Sequence, residues 1–176
     1  MRLRLLVAVA LGVLSVTVTA SVAQAGSPND AAAVRSATAK FHSIASAEQH
    51  GYTLLTDTKK IACIDMPGVG GMGVHWANTT LVTDKRIDAT RPEAMVYAPG
   101  RDGTLRLAAV EYVVFKVDWD SAHASPPTLF GQRFDLTAAP NRYGLPAFYS
   151  LHAWVWAHNP AGTFAMWNPN VTCSQR

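Results

Sequence analysis

The chain has 176 residues, 49% hydrophobic and 15% charged, with a formal net charge of +3. Arg2 and Arg4 fall in an N-terminal segment without acids, so residues 26–176 carry 13 of the 15 basic residues against 12 acidic ones. That near-neutral balance excludes the charge footprint of a nucleic-acid or anionic-membrane binder, and about 150 residues suffice for one domain with a buried core.

Arg2 and Arg4 lead an apolar run over residues 5–18, and Ala23 and Ala25 supply the small residues of a cleavage site before Gly26. This is the layout of a secretory signal peptide over residues 1–25, bacterial in character. It predicts a single globular domain over 26–176, secreted or otherwise extracytoplasmic, in the periplasm or at the cell exterior. Past the leader no apolar stretch approaches the roughly 20 residues of a membrane helix, so no membrane span is expected.

Residues 26–49 read as one helix. Ser27 can cap it, Pro28 suits its first turn, and Asp30 favours its positive end. Val34, Ala37, Thr38, Phe41, Ile44 and Ala45 form its apolar stripe, and Gly51 can take the left-handed conformation that ends it. The small residues of the stripe call for close packing, with a sheet as the expected partner.

From Lys59 onward the signals are mostly strands, over residues 61–66, 73–78, 94–98, 104–117, 129–136 and 149–158. A glycine-rich turn, 68–71, precedes the second; it lacks the Lys-Ser/Thr and following helix of a phosphate loop. Pro99-Gly100-Arg101-Asp102-Gly103 between two apolar runs is the strongest hairpin signal, because Asp-Gly accommodates positive φ angles. Strands joined by turn residues, with one convincing helix, predict an α+β fold: an N-terminal helix packed on a mainly antiparallel sheet. Cys63 and Cys173 are the only two cysteines. In an oxidising compartment they are expected to form one disulfide, the rival being a metal-binding or catalytic thiol.

Candidate chemistry rests on histidine and one carboxylate. His42, His50, His123 and His158 are expected to face solvent. His75 and His152 sit inside apolar strands, and Glu111 is embedded in Val110-Glu111-Tyr112-Val113-Val114. A carboxylate there is costly unless paired, coordinated or protonated. Two imidazoles and a carboxylate suit a divalent transition metal, or a proton-transfer site, if folding brings them together. The bland alternative is a buried Glu–His hydrogen bond, or side chains that point into water. Alternation predicts that His152, Trp154 and Trp156 share one strand face, where Trp154 could join a ligand site; packing in the core is the simpler reading. Asp118 and Asp120 lack the further oxygen ligands of a calcium loop, and no Gly-x-Ser-x-Gly elbow occurs.

As a set, GMGVHW at 71–76, RPEA at 91–94, VEYVV at 110–114, PTLFGQ at 127–132, NRYGLPA at 141–147, LHAW at 151–154 and NPNVTC at 168–173 resemble a family of small secreted bacterial proteins of unknown function. A fainter similarity, at His75, Glu111, Tyr112 and His152, is to the oil-body-associated protein family, without that family's denser histidine and cysteine cluster around the first strand. Neither resemblance implies a particular substrate. The reading that follows is a non-catalytic domain binding a small molecule or surface ligand through His75, Glu111, His152 and Trp154. The alternatives are a metal-dependent enzyme using His75, Glu111 and His152, and a structural envelope protein without a pocket.

Overall fold

The computed structural model describes residues 28–173. The leader and the Ser27 cap lie outside the described residues. Helix α1 spans Pro28–Thr38, a single 3-10 turn follows at Ala39–His42, and α2 spans Ile44–Gln49. The continuous helix expected over 26–49 is therefore interrupted. Ser43 is extended at φ −90° and ψ 119°, and its hydroxyl accepts from Ser46 N to start α2. The break rotates the apolar stripe: Val34, Thr38 and Phe41 are buried as expected, but Ala47 is buried in place of Ala45. Tyr97 fixes the interruption from the sheet, donating its hydroxyl to the Phe41 carbonyl at 2.7 Å. Gly51 ends the helical segment at φ +88°, a backbone conformation open to glycine.

Among the described residues nine strands follow: β1 Thr53–Leu54, β2 Cys63–Met66, β3 Gly70–Ala77, β4 Ala94–Pro99, β5 Leu105–Phe115, β6 Thr128–Leu129, β7 Gln132–Arg133, β8 Asp135–Thr137 and β9 Phe148–Ala153. All strand pairs are antiparallel, and the main sheet runs β1-β3-β4-β5-β9-β8 with β2 also on β3. Two short helices complete the fold, α3 at Thr79–Val82 and α4 at Lys116–Asp120. The β4–β5 hairpin forms where the Asp-Gly turn predicts it, with Gly103 at φ +77°.

Three strand expectations change. Residues 129–136 break into β6, β7 and part of β8, because Phe130 and Gly131 both take positive φ angles and turn the chain back on itself. Strand β5 stops at Phe115, where α4 begins. Strand β9 stops at Ala153 rather than near His158. There the Trp156 and Ala157 amides both turn to the carbonyl of Ala108, a residue left over where the β4–β5 register slips. Trp154 and Trp156 consequently do not share a face. Trp156 packs on the helix side and donates to Thr38 Oγ1, while Trp154 joins Val96, Ala108, Ala109 and Val171 on the other side.

The sheet is covered on both faces. On one, Val34, Phe41 and Ala47 meet Trp76, Met95, Tyr97, Val110, Tyr112 and Leu151. Strand β5 is buried along most of its length, which is why its sequence is nearly continuously apolar. The opposite face receives the C-terminal segment. Gly71 and Asn168 exchange backbone hydrogen bonds of 3.0 Å in each direction, and Val171 settles into the small cluster beside Trp154. The glycine-rich stretch makes that approach possible. A Cβ on Gly70 would lie 2.3 Å from the Asn168 carbonyl oxygen, and one on Gly71 2.7 Å from Val171 Cγ1. Its turn is thus confined to the first few residues, and Gly70 already belongs to β3. The disulfide Cys63–Cys173, with Cα atoms 5.6 Å apart, fastens the end of this segment to β2.

Replacing both cysteines by serine should lower stability by about 2–5 kcal/mol in urea unfolding, since the bond closes a loop of 110 residues. Gly70→Ala should cost more than the ~1 kcal/mol of an ordinary backbone substitution, because φ +135° and the Asn168 carbonyl oppose it together; an unchanged midpoint would show that the tail contact is dispensable.

Candidate functional site

The face under the C-terminal segment carries the polar residues singled out in the sequence. Glu111 on β5 lies directly opposite His152 on β9 and, on its other side, opposite Ala94 on β4. His75 on β3 pairs with Val96, one step along the same face. The methyl side chain of Ala94 leaves the space across β4 through which Glu111 and His75 meet. His75 Nε2 lies 3.2 Å from His152 Nε2 and 3.4 Å from Glu111 Oε2, and His152 Nδ1 lies 3.5 Å from Glu111 Oε1. The rings stand perpendicular, and all three residues are buried. Folding thus supplies the convergence that the spacing 75, 111 and 152 leaves open.

Burial governs the charge of this group. It lowers His75 to about 4, against which Glu111 pulls upward and His152 adds a smaller downward push. Burial alone lowers His152 to about 4. The Glu111 carboxyl is raised above the ordinary range by burial, opposed by His75 and by a hydrogen bond from Ser150. Neutral imidazoles beside a carboxyl reluctant to ionise can pass a proton along the 3.2–3.5 Å contacts, or offer lone pairs to a cation.

Beside this cluster lies a cavity of about 500 Å³. Its wall is mostly apolar, with Met72, Val113, Phe115, Phe148 and Trp167 among its residues. Among the described residues of the wall, the charged ones are Glu111 and Arg142. Arg142 is committed to Asp57, with Nη2 2.9 Å from Oδ2, and among the described residues Glu111 forms no ion pair with Lys or Arg. His75 and His152 stand behind the carboxyl, outside the wall.

Trp154 is buried with its ring stacked near that of His152 at 6.2 Å, and its Nε1 donates to the Ala165 carbonyl. It backs His152 and lies outside the cavity wall, so the four candidate ligand residues divide: Glu111 faces the cavity, and the other three support it from behind. His42, His50, His123 and His158 are exposed, as expected. Asp118 and Asp120 are engaged by Lys85 and Lys116.

Sequence reasoning passed over Glu93. This residue is 2% exposed and accepts from the Val113 amide at 2.9 Å. Burial raises its carboxyl to about 8, partly opposed by backbone hydrogen bonds from Val113 and from its own amide, with Asp84 and Glu111 adding to the rise. The signal was the one that exposed Glu111: a lone acid at the start of the apolar run 94–98.

No family model, curated protein or solved structure matches the chain.

The buried acids and bases pull stability in opposite directions with pH. His75 and His152 contribute stability above their ordinary 6.5 that is lost as pH falls through about 4. Glu93 contributes stability at low pH that is lost as pH rises from its ordinary 4.5 through about 8. Urea unfolding of the wild type and Glu93→Gln should therefore show the glutamine variant gaining relative stability between about pH 5 and pH 9. A difference that does not vary with pH would mean that Glu93 ionises as freely folded as unfolded.

Proposed function

We propose that this is an exported, non-catalytic binding domain for a small, largely apolar molecule bearing one polar, preferably basic, group. The observation that carries the reading is the cavity of about 500 Å³ with one acid, Glu111, that has no Lys or Arg partner among the described residues, in an apolar wall. Its volume falls within the roughly 300–1,000 Å³ of small-molecule sites, which combine apolar walls with few polar groups that fix orientation. The apolar body would lie against Val113, Phe115, Phe148 and Trp167, with the polar group turned to Glu111. His75 and His152, close behind the carboxyl, would hold its orientation.

Export is supported by the leader-like sequence over residues 1–25 and is compatible with the Cys63–Cys173 bond. Among the described residues no helix is long and apolar enough to cross a membrane.

Aminoanthracene, an apolar fluorescent amine, tests the reading. It should bind saturably, one molecule per chain, with enhanced emission. Val113→Trp should lower the enhancement by intruding into the cavity while leaving the circular dichroism spectrum intact. Glu111→Gln should weaken binding about tenfold, the scale of one hydrogen bond to a charged group. Equal enhancement in wild type and Val113→Trp, or none in either, would remove the cavity from consideration.

A further inference from the structure

The cluster behind the cavity carries an inference of its own, independent of whether the cavity takes an organic ligand. We propose that His75, His152 and Glu111 form a site for one divalent transition-metal ion, of the zinc, cobalt, iron or manganese class. One potential ligand atom from each residue lies within 4.8 Å of the other two. Four-coordinate zinc with bonds of ~2.0–2.1 Å has ligand atoms about 3.3–3.4 Å apart. The His75 Nε2–His152 Nε2 and His75 Nε2–Glu111 Oε2 separations, 3.2 and 3.4 Å, match that edge.

Charge supports the same reading. Glu111 is buried, and its ion-pair partners among the described residues are the two histidines, with no Lys or Arg paired to it. A carboxylate so placed lacks a permanent counter-charge, which a dication would supply. Two imidazoles and one carboxylate favour transition metals over calcium or magnesium, which prefer all-oxygen surroundings. The three ligands come from β3, β5 and β9, central strands of one sheet, so the site is held by paired backbone rather than by a loop. Three protein ligands leave a coordination position open, and Glu111 is the one that meets the cavity.

The test uses the full exported chain without an affinity tag, stripped with chelator. Isothermal titration with Zn²⁺ should show one ion per chain. Co²⁺ should give the visible absorption of a low-coordinate site, quenched by Zn²⁺. Zn²⁺ should shift the ring nitrogen resonances of His75 and His152 while leaving those of His42, His50, His123 and His158 in place. His75→Gln, His152→Gln and Glu111→Gln should each weaken binding at least about tenfold. The proposal is overturned if none of Zn²⁺, Co²⁺, Fe²⁺ and Mn²⁺ binds saturably, if only the exposed histidines respond, or if the variants bind as wild type does. Should a variant fail to fold, the nitrogen shifts of the wild type decide alone. Aminoanthracene binding, recorded on the same samples with and without Zn²⁺, separates the two readings: probe binding without metal binding sinks this site and spares the cavity.

Discussion

The backbone exchange between Gly71 and Asn168 is the constraint on which the polar face of this protein depends. A sheet with one face on helices ordinarily leaves the other to water, and water would solvate His75, His152 and Glu111 at little cost. Here the C-terminal segment is drawn across that second face, where two adjacent glycines remove the side chains that would hold it away. The disulfide then anchors its end to β2, and Cys173 N donates to Asp65 Oδ2 beside it. Local backbone permissiveness in β3 thus becomes burial several strands away.

Closing that face creates the electrostatic peculiarity of the molecule. The helix side meets its polar obligations one by one: Tyr52, Tyr97 and Tyr112 each donate a hydroxyl to a backbone carbonyl at 2.7–2.8 Å. The second face instead gathers two imidazoles and a carboxyl in mutual contact, with no Lys or Arg paired to them among the described residues. On the readings proposed above, such a group would meet a metal ion or the polar end of a ligand. The adjoining cavity supplies an approach through Glu111 alone. Specificity would then come from the apolar wall, and binding would be read by the cluster behind it.

Much of this was legible in short stretches. Gly51 and the Asp-Gly turn acted through backbone conformation, which neighbouring residues dictate and tertiary packing seldom overrules. The exposed histidines followed from their polar surroundings. Interruptions were harder to foresee. The break at Ser43 depends on Tyr97 reaching Phe41 from 56 residues away, and the end of β9 depends on a carbonyl freed by a register slip in β5. Alternation carried past that point wrongly joined Trp154 and Trp156 on one face.

The sequence by itself determined the α+β character, the β4–β5 hairpin, a disulfide as the default state of its two cysteines, and which three polar residues would be expensive to bury. These are matters of composition, periodicity and single-residue chemistry. Only the tertiary structure decided that the three meet, that a cavity opens beside Glu111 and not beside Trp154, and that Glu93 is buried as well. Each of those outcomes requires strands distant in the chain to lie in register, and register is set by the whole packed sheet rather than by any window along it.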